Sequence, residues 1–190
     1  LMYWVFERDL QARIYRATSE LTSGDTLEHV RLNPLPAVKA RLARDKAPLI
    51  VLKPLVESQR VHELTGAFPG AKVLWQYRHY QDVASSNLKA FGTDNGLNDL
   101  RPFLRDDPDN WRSQHSTAET RATLRRFFRE DMNPYDGAAL FWWARCRLYF
   151  DLNLADDPRV LLCRYEDLAT DPAATMRRVY GFQQKIMGAL

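Results

Sequence analysis

Apolar positions in this chain follow two rhythms, short compact runs and helical spacing, and the two alternate along its length. Pro48-Leu-Ile-Val-Leu52 is a compact apolar run between polar flanks, the pattern of a strand buried on both faces, and it ends at Lys53-Pro54. Ser58 to Phe68 takes helical spacing and is closed by Pro69-Gly70. From Lys72 onward, Val73, Trp75 and Tyr77 alternate with Leu74 and Gln76, after which Val83, Ala84, Asn87, Leu88 and Phe91 return to helical spacing. Strand, helix, strand in that order predicts a βαβ unit, hence a parallel sheet and a right-handed crossover. Ser116 to Glu130 and Pro134 to Leu154 read as helices, the second with Asn133 as N-cap before a first-turn proline. Arg159 to Tyr165 is a third strand, and Asp171-Pro-Ala-Ala opens a last helix with the same pairing of cap and proline.

Three stretches are less regular. Leu1, Trp4, Val5, Leu10 and Ile14, with Glu7, Arg8, Asp9 and Gln11 between them, predict a first helix. A helix with no lead-in predicts in turn that the natural N-terminus lies upstream. Thr22 to Asp25 and Asn33 to Pro36 mark loops, and Ala37 to Asp45 reads as a short basic helix. Gly92 to Arg112, rich in Gly, Asn, Asp and Pro, predicts a long loop of the kind that serves as a lid or binding edge.

A length of 190 residues with 45% apolar content suits a single domain over residues 1–190. The formal charge of +3 is too small to predict a nucleic-acid partner; it suits a protein that handles small anions, or a solvated helix face. Arg121, Arg125 and Arg129, four residues apart, read as such a face. Trp142 and Trp143 read as core positions rather than a stacking platform. Cys146 and Cys163 form neither a disulfide framework nor a metal-ligand spacing and read as small core residues, so no metal site is predicted. The apolar run Leu1 to Phe6 is far short of the ~20 residues that span a membrane. No basic-then-apolar signal segment precedes it.

The chemistry concentrates where the strand from Lys72 gives way to a helix. Arg78 falls at the carboxyl end of that strand, where open α/β sheets bind anions, and Ser86 lies one to two turns into the helix. A guanidinium offers a planar fork of donors to a phosphate and a nearby hydroxyl adds another. Asp82, four residues beyond Arg78, equally suits an ordinary surface ion pair, so the stretch alone supports either reading.

Three segments, Leu49-Ile-Val-Leu-Lys53-Pro, Phe68-Pro-Gly-Ala-Lys-Val-Leu-Trp-Gln-Tyr-Arg78 with Asp82 and Ser86, and Val160-Leu-Leu-Cys-Arg-Tyr165-Glu-Asp-Leu-Ala-Thr-Asp171-Pro, stand in this order and spacing. Together they resemble the sulfotransferases that use 3′-phosphoadenosine 5′-phosphosulfate (PAPS), over roughly residues 45–92 and 136–183. The most specific element is the strand-end arginine followed eight residues later by a serine, with Asp-Val-Ala between them. In that family the pair holds the cofactor's 3′-phosphate, and Arg78 and Ser86 fall on it. Tyr165-Glu166-Asp167-Leu168 followed by Asp171-Pro172 resembles the family's late strand and the helix after it. The resemblance implies a three-layer α/β/α domain with a short parallel sheet, the sulfotransferase version of the P-loop nucleotide-hydrolase-like fold. It implies transfer of a sulfuryl group from PAPS to a hydroxyl or amine, with a small-molecule or carbohydrate acceptor and no metal.

The chain departs from the family pattern in three places. Nothing matches the early Gly/Ser/Thr-rich phosphosulfate-binding loop, so the resemblance reads the chain as a fragment cut just after it and inactive alone. Where small-molecule members place a histidine base two residues after a strand-end lysine, Lys53 is followed by Pro54 and Leu55. Lys53 either faces the transferring group or caps a strand end in solvent; Glu57, four residues on, either acts as base or is a helix-start carboxylate without a catalytic role. His62 and His79 read as surface residues. The chain also ends at Leu190 without the basic, glycine-bearing segment that closes the 3′-phosphate site in several members. The alternatives are a non-catalytic nucleotide- or partner-binding domain derived from that fold, and a phosphate-loop kinase. A cytoplasmic location is favoured over the Golgi lumen; family members occupy both, and any anchor would lie upstream.

Overall fold

The computed structural model describes residues 2–7, 49–52, 58–67, 70–107 and 109–187. The expected helix over 37–45, the two early loops, Lys53 and Glu57 lie outside these residues. In chain order the elements are β1 (Met2–Glu7), β2 (Leu49–Leu52), a 3-10 turn (Ser58–Arg60) running into α1 (Val61–Ala67), and β3 (Lys72–Tyr77). Next come α2 (Tyr80–Phe91), α3 (Asn95–Leu104), α4 (Ala118–Phe127) and α5 (Pro134–Asp151). Last are β4 (Val160–Arg164), α6 (Tyr165–Thr170) and α7 (Pro172–Met187). The architecture is an α/β fold, as expected, and it divides into two compact units: Leu1–Gln76 with Pro158–Cys163 and Asp171–Leu190, and Tyr77–Asp157 with Arg164–Thr170.

The first unit is built on a four-stranded sheet in the order β2-β1-β3-β4. β3 and β4 form its parallel pair, and the Val73 N–H donates to the Arg159 carbonyl at 2.8 Å. β2 and β3 run in the same direction, as the strand-helix-strand order predicts, but not as neighbours. β1 lies between them, antiparallel to both, with Trp4 opposite Leu52 on one side and Val73 on the other. This corrects the expected first helix over its described part. Met-Tyr-Trp-Val-Phe is a short apolar run whose periodicity cannot separate helix from strand, and its aromatic and β-branched residues suit a pleated surface.

Lys72, at the start of β3, is buried and donates to the Phe182 carbonyl of α7, with its ammonium 4.3 Å from the Phe182 ring centroid. A charge in that position is compensated by a carbonyl and a ring face rather than left in an apolar core. α7 begins as expected, with the Asp171 carboxylate accepting from the Ala174 N–H at 2.9 Å ahead of Pro172.

The second unit is helical around Leu100, Phe103, Leu124 and Ala144, with Leu140, Phe141, Trp143 and Phe128 packed against them. α5 starts as its sequence predicts: the Asn133 side chain accepts from the Tyr135 N–H at 2.8 Å, and Pro134 occupies the first turn. It stops at Asp151, earlier than the expected Leu154, and Asn153 takes a left-handed conformation (φ 53°) before a 3-10 turn. The expected loop Gly92 to Arg112 is the main correction in this unit, because Asn95–Leu104 is α3. Leu97, Leu100 and Phe103 carry a three-residue apolar spacing that outweighs the Gly, Asn, Asp and Pro around them, and all three are buried. Asp99 is buried as well, accepting from Asn95 at 2.9 Å and paired with Arg112.

Gly96 explains how α3 comes so close to α5. A Cβ added there would lie 2.5 Å from the Ala138 nitrogen and 2.8 Å from its Cα, both backbone atoms that cannot swing aside. Gly96→Ala is therefore expected to destabilise the protein by ~1–3 kcal/mol through overpacking, read as a lowered midpoint in urea denaturation. An unchanged midpoint would mean that the two helices are not in backbone contact.

Candidate functional site

The strand-to-helix junction places its residues in the second unit. Arg78 follows β3 directly, and α2 begins two residues later, with His79 in the N-cap position. His79 makes no side-chain cap, so the amide groups at this end of α2 depend on other elements. Glu166, in the first turn of α6, accepts from the His79 N–H at 2.7 Å. Trp142 of α5 donates its indole N–H to the Arg78 carbonyl at 3.0 Å. Those two groups belong to one peptide unit, between residues 78 and 79, and it is gripped from both edges.

Arg78 stands two residues ahead of α2, while Asp82 and Ser86, four apart within it, share one face of the helix. Arg78 pairs with Asp82 at 3.1 Å, both about half exposed, and its guanidinium lies 4.6 Å from the Tyr165 ring centroid. The surface ion pair weighed from the sequence is thus formed, with the guanidinium held between Asp82 and the Tyr165 ring and still partly exposed. Ser86 is exposed and makes no hydrogen bond to the described residues. Its neighbour Ser85 is engaged: its hydroxyl bonds the Tyr135 hydroxyl, which itself donates to the Gln81 carbonyl at 2.7 Å. Of two adjacent serines, one is used to fasten α2 to α5 and the other is left facing outward with Arg78.

Sequence reasoning missed Trp142, Tyr165 and Glu166 as contributors to this junction. Trp142 was assigned to the core, but it is half-buried, and a tryptophan in that position needs a partner for its indole N–H. Trp143 does pack against the core. The helix expected over Ser116 to Glu130 spans Ala118–Phe127, so of the arginine stripe Arg121 and Arg125 lie on α4 and both pair with Asp106, at 3.1 and 2.6 Å, while Arg129 lies beyond its end and donates to the carbonyls of Arg126 and Phe128; Arg125 and Arg129 are exposed, as a solvated face requires. Cys163 is buried and Cys146 half-buried, they are not bonded to each other, and burial pushes the Cys146 thiol up to about 11. Such a thiol is a poor nucleophile. Among the described residues no cluster of His, Cys, Asp or Glu could hold a metal ion, and no helix is long and apolar enough to cross a membrane.

Glu166 is held below the 4.5 of an ordinary glutamate, chiefly by the His79 N–H, with Arg164 beside it at 3.1 Å adding to the effect. A carboxyl whose folded pKa is depressed contributes stability above its unfolded pKa and loses it as pH falls through the folded value. Wild type is accordingly expected to be more stable than Glu166→Ala at neutral pH, with the gap narrowing once pH drops below 4.5. Denaturation midpoints of the two proteins across an acid titration check this, and a gap independent of pH would remove the carboxylate from the account.

A family model described as sulfotransferase domain matches residues 41–187. No curated protein and no solved structure gives a match. The matched span covers more than half of the chain, including the junction at Arg78, all of α2 and the α6 segment that grips it, and the chain belongs to the sulfotransferase family.

Proposed function

We propose that the protein uses PAPS as sulfuryl donor and transfers the group to a hydroxyl or amine of a small-molecule or carbohydrate acceptor. The observation that carries the reading is the half-exposed Arg78 guanidinium just ahead of α2, with the exposed, unengaged hydroxyl of Ser86 eight residues further on. Two donors of these types fit a phosphate monoester: the guanidinium supplies charge and a fork geometry, and the hydroxyl supplies a second hydrogen bond. In this reading they hold the 3′-phosphate, which distinguishes PAPS from ATP or AMP.

Asp82 lies between the two and competes for Arg78. Magnitudes decide that competition. An exposed ion pair contributes roughly 0–1 kcal/mol, whereas hydrogen bonds to a charged group contribute roughly 1.5–3 kcal/mol each, so a phosphate dianion displaces the carboxylate. Bound PAPS supplies the sulfuryl group. The protein must then orient donor and acceptor in line, stabilise spreading negative charge and accept the acceptor's proton. Lys53 and Glu57, both outside the described residues, are the candidates for the last two tasks.

Calorimetric titration with adenosine 3′,5′-bisphosphate against AMP tests the reading. Wild type is expected to prefer the bisphosphate, and Arg78→Ala to lose ~1.5–3 kcal/mol of binding to the bisphosphate alone. Equal affinity of wild type for the two nucleotides would sink the 3′-phosphate assignment. Asp82→Asn, which removes the competing carboxylate, is expected to bind the bisphosphate a few-fold more tightly, by up to ~1 kcal/mol, with AMP unchanged.

A further inference from the structure

The side chains of Trp142 and Glu166 bond the backbone at Arg78 rather than its guanidinium or the Ser86 hydroxyl, and so bear on where the Arg78 side chain starts. The Arg78 carbonyl and the His79 N–H are the two polar groups of one planar unit. A donor from α5 and an acceptor from α6, held on opposite edges of that plane, restrain its rotation. Rotation there would re-aim the Cα–Cβ bond of Arg78, and a displacement at the Cα is magnified at the end of a long side chain. The same α6 turn supplies Tyr165, whose ring lies against the Arg78 guanidinium, so backbone and head group are held from one short segment. Glu166 is kept in place in its turn by Arg164, at 3.1 Å.

We propose that Glu166 and Trp142 are positioning residues for Arg78, and that through it they set the discrimination between nucleotides with and without a 3′-phosphate. The inference rests on the assignment of Arg78 to that phosphate. It assigns the positioning of Arg78 to the Glu166 oxygen that accepts from the His79 N–H, while the carboxylate charge, paired with Arg164, bears on stability. Glutamine at this position preserves the acceptor, whereas alanine leaves the His79 N–H without it.

The test is the ratio of affinities for adenosine 3′,5′-bisphosphate and AMP, measured by calorimetry on the full chain. The ratio is expected to fall about tenfold in Glu166→Ala and about threefold to tenfold in Trp142→Phe, the scale of one lost hydrogen bond, while Glu166→Gln stays within about twofold of wild type. AMP is the internal control, since general loosening of the fold weakens both nucleotides together. Trp142→Phe removes only the indole donor and keeps an aromatic ring, so it reads the same ratio if Glu166→Ala fails to fold. A wild-type preference that survives both variants overturns this inference and leaves the Arg78 assignment standing. A parallel loss for both nucleotides, with the ratio intact, gives the two residues a merely structural role and overturns it equally. Equal affinities in wild type overturn the inference and the assignment together.

Discussion

The candidate site depends on one peptide unit, the plane between Arg78 and His79, where a strand ends and a helix starts. Every helix begins with amide groups that lack an intrahelical partner, and a side chain in the N-cap position commonly accepts from one of them. His79 does not do this in α2. In a capping box the side chain of the third helical residue accepts from the N-cap N–H; here that residue is Asp82, and its carboxylate is turned to Arg78. Glu166 takes the role from another helix, and a negative group at a helix N-terminus is favourable in its own right. The carboxylate that could have capped locally is thereby free to pair with the arginine.

The order of groups at this end of α2 follows from this. A cation just ahead of the helix, Arg78, is followed on the helix by an anion and a neutral hydroxyl four residues apart, Asp82 and Ser86. The inner face is committed to α5: Ala84 is buried, and Gln81 and Ser85 are joined to Tyr135. Division of labour between adjacent serines is therefore a consequence of helix geometry, since a step of one residue turns a side chain by about 100°. The ion pair on the outer face is weak because both partners keep their water. Weakness is what the proposed 3′-phosphate role asks of Arg78, which would have to change partners when the phosphate binds.

What could be read from the sequence was local. β3, α2, the Asn133 cap of α5 and the Asp171 cap of α7 each announce themselves within a few residues, and each stands where periodicity and capping rules put it. α3 did not, because its Gly, Asn, Asp and Pro have loop composition and only Leu97, Leu100 and Phe103 betray a helix. Gly96 there answers to the backbone of α5, some forty residues along the chain, and not to any turn. β1 was misread because six residues of mixed aromatic and aliphatic character fit either period. The eight-residue spacing of Arg78 and Ser86 is a local sequence feature, whereas the partners of the 78–79 peptide lie 64 and 87 residues away in sequence and leave no local sign.

That separation also accounts for a feature of the sequence that composition leaves unexplained. Tyr165-Glu166-Asp167-Leu168 is too ordinary to identify anything by itself, yet it gains meaning beside the segment ending at Arg78. The structure supplies the physical link: the tyrosine stacks on the arginine and the glutamate holds the amide that follows it. Two short segments far apart in the chain are one contact surface in space, so a change in either alters the setting of the other. Residues in direct contact do not contribute additively. A substitution at Glu166 should therefore be read together with Arg78, and the strand end and the late helix treated as a single unit when the chemistry of this chain is altered.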